Sequence, residues 1–223
     1  MRRRRFLVFG IAALAASLLP GPAVGACPVF PADGELDFLV LRHGVAIGSH
    51  RIRFARAAGR FVVRSDIEFE TAPPGAPPGA APTRYVHHAE EVWVGGWLHA
   101  VVSDTDDGGR RTRLRAERRD GIFQGTINGS AFTASGYLIP SSLWHRDTPA
   151  TEALFDVVDG RLKVVHPRFV GRDRVPGPGG HVEAKHYVLV GELPRELWYD
   201  ADCGLVRAAW RTRDGARIVL EPR

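Results

Sequence analysis

The feature that most constrains this chain is its turn punctuation. Residues 83–121 read TRYVHHAEEVWVGGWLHAVVSDTDDGGRRTRLRAERRDG. Gly95-Gly96 and Asp107-Gly108-Gly109 interrupt runs rich in β-branched and aromatic residues. Glycine enters the left-handed region that tight hairpin turns require at little steric cost. Three antiparallel strands in a meander follow. The same grammar recurs at His43-Gly44, Asn128-Gly129 and Asp214-Gly215. It divides the chain into strands at 35–42, 45–54, 60–71, 122–127, 131–135, 161–170, 182–191, 195–200, 205–212 and 216–220, besides the central three. About eleven or twelve short strands with at most one helix or helical turn, at 151–158, which could equally be a strand, describe an all-β antiparallel domain. A sheet of that size must curl, close or split. An open rolled barrel or clam is expected, with a two-sheet sandwich as the alternative.

Local irregularities refine this picture. Gly48 inside a strand marks a bulge or a close backbone approach. Alternation slips near Ser65, which suggests a second bulge. Residues 72–82 (APPGAPPGAAP) cannot hold a ladder and read as an exposed connection. Residues 137–145 (YLIPSSLWH) break the pattern, with Trp144 as a large apolar anchor, and 172–180 read as a second loop.

A two-residue loop at Gly95-Gly96 pairs Val92 with His99, Glu90 with Val101 and His88 with Ser103. Alternation then puts Val86, His88, Glu90 and Val92 on one face with His99, Val101, Ser103, Leu114 and Ala116. The opposite face carries Arg111, Arg113 and Arg115, and with them Glu91, Trp93 and Leu98. The arginines suit water, so the first face is expected to be the core. Buried polar groups need partners, which makes His88, Glu90 and His99 candidates for orienting a ligand, with Ser103 and Trp144 beside them.

The first residues read as a targeting segment. Arg2 to Arg5 precede an apolar run from Phe6 to Leu19 and a small-residue exit ending near Ala26. The run is shorter than the roughly 20 residues a spanning helix needs. It fits both an ordinary secretory signal and a twin-arginine signal, and implies a periplasmic or secreted protein. Without those four arginines the 30 basic residues become 26 against 25 acidic ones, so a net of +5 becomes +1. The basic balance therefore does not argue for nucleic acid as a partner. About 195 residues remain, enough for a single domain with a sizeable core.

Cys27 and Cys203 are the only cysteines. In an oxidising compartment they are expected to pair. Lipidation of Cys27 after Val24-Gly25-Ala26 is the alternative.

Gly44-Val45-Ala46-Ile47-Gly48, Glu91-Val92-Trp93, Ser103-Asp104-Thr105-Asp106-Asp107-Gly108, Pro140-Ser141-Ser142-Leu143-Trp144 and Leu197-Trp198-Tyr199-Asp200 occur in that order. The arrangement resembles an exported bacterial all-β family of unknown function, rich in Trp hairpins. The resemblance implies a periplasmic β domain and brings no activity.

Catalytic constellations are weak. The acids of residues 103–109 lack calcium-loop spacing. His87 and His88 are adjacent, so on a strand they point apart. His88, Glu90 and His99 could form a three-ligand zinc site, but no His-Glu-x-x-His supports it. No Gly-x-Ser-x-Gly elbow is present. The expected function is binding of a lipid or other apolar or amphipathic small molecule in a sheet-lined cavity, with no cofactor. The alternative is a periplasmic hydrolase or metal-dependent enzyme using the His88/Glu90/His99 face.

Overall fold

The computed structural model describes residues 27–28, 30–32, 34–71, 81–177, 179–212 and 215–223. The targeting segment, most of the Pro/Gly/Ala connection and Asp214 lie outside the described residues. Among the described residues, fourteen strands form one sheet. They are β1 (Gly34–Arg42), β2 (Val45–Ala57), β3 (Arg60–Thr71), β4 (Thr83–Val94), β5 (Trp97–Asp107), β6 (Arg110–Arg119) and β7 (Ile122–Ile127). After these come β8 (Ser130–Ala134), β9 (Ala153–Phe155), β10 (Leu162–Gly177), β11 (Gly180–Gly191), β12 (Arg195–Tyr199), β13 (Leu205–Arg211) and β14 (Arg217–Pro222).

Neighbours in sequence are neighbours in the sheet, with one exception that organises the molecule. β1 pairs with β14, from Phe38 opposite Pro222 to Arg42 opposite Ile218. The two ends of the chain therefore meet in the middle of the sheet, and its free edges are β8 and β9. The connection between those edges does not pass over the surface. Leu138, Ile139, Leu143, Trp144 and His145 on it are buried. Ser141 N–H donates to the Phe155 carbonyl at 2.8 Å, and Phe155 N–H to the Ile139 carbonyl at 2.8 Å. The rolled sheet is thus packed around its own linker, as a barrel packs around a plug.

At one rim the plug meets an aromatic cluster. The Trp144 ring lies 5.5 Å from Phe54 and 5.5 Å from Trp93, and Phe30 stacks on Phe61 at 4.4 Å. Such rings bring large buried area together with favourable edge-to-face geometry. Cys27 is bonded to Cys203, which ties the start of the described chain to the β12–β13 connection.

Several expectations hold. Gly48 lies opposite Val40 while Ala46 lies opposite Leu41, so Ile47 is the extra residue of a bulge. A Cβ on Gly48 would overlap the Glu68 carbonyl oxygen. Others are corrected. No register shift occurs at Ser65, which simply occupies an inward position, 4% exposed. Of the two readings of 151–158 the strand holds, as β9, and a short helical turn precedes it at Thr148–Ala150. Most of 172–180 is strand, because Pro176 sits where β10 has a partner on one side alone and no ladder donor is needed.

The largest correction concerns β4. Trp93 pairs with Leu98 and Val92 with Ala100, so His99 is the unpaired residue of a bulge. One extra residue reverses the parity of everything before it. The buried residues of β4 are His87, Ala89, Glu91 and Trp93. His88 and Glu90 are not inward, contrary to the expected register. Beyond the bulge the expectation holds: Val101, Ser103, Leu114 and Ala116 are buried.

Candidate functional site

Outward placement gives His88 and Glu90 ordinary surface partners. Glu90 accepts from Arg64 Nε at 2.8 Å, and His88 Nδ1 lies 2.7 Å from Asp66. The His88 side chain is 61% exposed and that of Glu90 44%. Arg113 and Asp104 continue the ladder at 2.9 Å. Exposed cross-strand pairs of this kind contribute little to stability. His99, in the bulge, makes no convergent site with His88 and Glu90. Among the described residues no three His, Cys, Asp or Glu side chains are grouped to hold a metal ion. Ser103 faces inward, but its hydroxyl is engaged by the Val157 carbonyl of the plug connection.

Trp144 is inward too, and it belongs to a polar knot inside the aromatic cluster. Its indole N–H and that of Trp93 both donate to Glu91 Oε2, each at 3.1 Å. Glu91 is 1% exposed. Burial pushes its carboxyl from 4.5 up to about 7, against hydrogen bonding from Ser142, Trp93 and Trp144, which favours the charged form. Neither Glu91 Oε1 nor Ser142 Oγ has a partner in good hydrogen-bond geometry. His145 stacks on Trp93 at 4.9 Å, and its Nδ1 accepts from Asp147 N–H at 3.1 Å. This knot holds the plug to β4.

Open space lies on the other side of the plug. A cavity of about 660 Å³ runs between the inner sheet face and residues 141–143 and 156–158, and extends to Arg42, Thr71, Thr83 and Asp107 at one rim. That volume falls within the roughly 300–1,000 Å³ of small-molecule sites. Its apolar wall includes Ile67, Phe69, Leu143, Val157, Trp210 and Leu220. Its polar groups come from strands that alternation turns inward: His50, Ser65, Tyr85, His87 and Arg195, with Asp156 from the connection after β9.

The polar wall is ordered. His50 Nε2 and Ser65 Oγ are 2.8 Å apart, and His87 Nδ1 and Thr105 Oγ1 are 2.7 Å apart. Burial lowers both imidazoles to about 4, with His87 adding to the effect on His50 and His88 to that on His87. They are neutral at physiological pH. Tyr85 stacks on Phe69 at 4.9 Å, and burial raises its phenol well above the usual value. Arg195 lies over the Trp210 ring at 5.0 Å and donates to the Pro194 carbonyl at 2.8 Å. Burial lowers its guanidinium to about 10, against Asp156 and Tyr85, which favour its charge. It therefore stays cationic. Arg195 lines the cavity.

Sequence reasoning thus found Trp144 and Ser103 on the inner face but missed His50, Ser65, Tyr85, His87 and Arg195. A signal for β4 existed: the inward register keeps Trp93, its largest apolar side chain, in the core together with Leu98.

No helix among the described residues is long and apolar enough to cross a membrane. No curated protein matches the chain. Its fold is similar to that of a crystallised beta-barrel-like protein of domain of unknown function DUF1849 from Brucella abortus. The TM-score is 0.55 at 10% identity, over 85% of this chain and 97% of that one. The family model described as domain of unknown function DUF6134 matches residues 38–223, from β1 through β14, and this chain belongs to that family.

Proposed function

We propose that this protein is an exported binding domain that holds an amphipathic small molecule in the cavity of its rolled sheet. The observation that carries the reading is the cavity itself: about 660 Å³, with an apolar wall and a few ordered polar groups, between sheet and plug. Small-molecule sites commonly combine an apolar body with a small number of placed polar groups. The Cys27–Cys203 bond and the arginine-led apolar start support residence in an oxidising compartment outside the cytoplasm.

Protein purified from its native envelope should release an amphipathic small molecule on solvent extraction. Adding such a molecule to stripped protein should raise the melting temperature. Leu193 borders the cavity and is partly buried. Leu193→Trp should fill space and abolish the shift while leaving the unliganded melt near that of wild type. The reading fails if no amphiphile shifts the wild-type melt and extracts are empty.

A further inference from the structure

We infer that the cavity selects an amphiphile with an anionic oxygen head group, carboxylate or phosphate, and that Arg195 receives that head. The inference rests on the cavity being a binding site and names the class of ligand it takes.

Arg195 is the first residue of β12, and alternation turns it inward with Leu197 and Tyr199. Its guanidinium has five N–H donors in a planar fork. One is used by the Pro194 carbonyl, and Trp210 covers one face. Among the described residues no carboxylate lies within 4 Å of it. Asp156, the acid that acts on it most, is committed to other groups. It accepts from Val158 N–H at 2.9 Å and lies 3.8 Å from Lys163 Nζ. A cation removed from water without an ion pair is costly. Arg195 lines the cavity together with apolar Ile67, Phe69, Leu143, Val157 and Leu220. A head with two equivalent oxygens matches that fork in two parallel hydrogen bonds, and Tyr85, whose phenol stays protonated, can donate a third. Phe69, Ile67 and Leu220 would then receive the chain. A neutral head would leave the guanidinium as it is now, and a cationic head would oppose it.

The test is a matched series with one tail: dodecanoate, dodecyl phosphate, dodecanol and dodecyltrimethylammonium, each below its micellar concentration. Binding to the full mature protein is followed by calorimetry. The anions should bind wild type at least about tenfold more tightly than dodecanol, the scale of one charge-assisted hydrogen bond. Dodecanoate against dodecyl phosphate then reads which oxyanion is preferred. Arg195→Gln should cost the anions about tenfold more than it costs dodecanol. Arg195→Lys, which keeps the charge and loses the fork, should fall between. If Arg195→Gln does not fold, the wild-type series and Arg195→Lys still decide. Equal binding of dodecanol and the anions, or best binding of the cation, overturns the anion inference and leaves the cavity reading standing. Binding of none of the four overturns the cavity reading itself.

Discussion

Glu91, on β4, is the buried acid that holds the plug through Trp144. Its carboxyl is 1% exposed and its folded pKa is about 7, against 4.5 when unperturbed. Between those values the native state holds a proton that the unfolded chain releases. The group's contribution is therefore fully present below about pH 4.5 and is lost as pH rises through about 7, by roughly 3 kcal/mol. His50, His87 and His145 act in the opposite direction. Burial lowers each from 6.5 to about 4, so their unfolded forms take up protons first and stability falls as pH drops from 6.5 toward 4. Wild type alone mixes both limbs. Glu91→Gln, neutral throughout and able to accept from one or both indoles, isolates one. Urea midpoints measured at about pH 5 and about pH 8 should show the wild type losing stability relative to this variant as pH rises. An identical pH dependence in the two proteins would mean that Glu91 does not titrate in this window.

At the scale of elements, the plug and the bulges deserve separate tests. Trp144 is 3% exposed and joins the connection to β2, β3 and β4, whereas Trp97 at the β4–β5 turn is 47% exposed. Trp144→Ala should destabilise by about 3–5 kcal/mol, the usual range for emptying a large core site. Trp97→Ala should cost less than about 1 kcal/mol despite its contact with Arg118. Comparable losses would show that the linker does not anchor the sheet. The second contrast uses glycines without a positive φ. Gly48 lies against the backbone of Glu68 and Phe69, while Gly171, in the β10 bulge, has open space around it. Gly48→Ala should cost about 2–4 kcal/mol and Gly171→Ala should stay within about 0.5 kcal/mol in denaturant melts.

For the molecule as a whole, closure depends on two long-range events. β1 meets β14, and Cys27 meets Cys203 across 176 residues of sequence. In the chain-entropy view a bond over so long a loop stabilises by up to about 5 kcal/mol. Cys203→Ser should lower the melting temperature of oxidised protein and leave it near that of the reduced wild type. Non-reducing peptide mapping of the wild type should give one cross-linked species. Two alkylatable thiols in native material would remove this bond from the account. The free edges β8 and β9 do not pair with each other, although Phe132 of β8 stacks on Phe155 of β9 at 5.9 Å. That leaves the sheet open enough to enclose a cavity while its linker, rather than a further strand pair, fills the other end.

The sequence by itself determined the hairpins, because Gly-Gly, Asn-Gly and His-Gly turns are local geometry. It determined the all-β class and made Trp144 an anchor for similar reasons of short range, while the structure chose the cysteine pair over lipidation and gave Gly48 both a bulge and a close approach. Tertiary structure decided which face of β4 is inside. A single unpaired residue, His99, inverts that face, and its only mark in the sequence is the need to bury Trp93 with Leu98. His87 and His88 are chemically identical neighbours, yet one hydrogen-bonds Thr105 inside the barrel and the other meets Asp66 outside it. The cavity and the inward fork of Arg195 were decided the same way. They exist only because strands far apart in sequence close around a linker, and burial assigns each side chain its surroundings only once that closure is made.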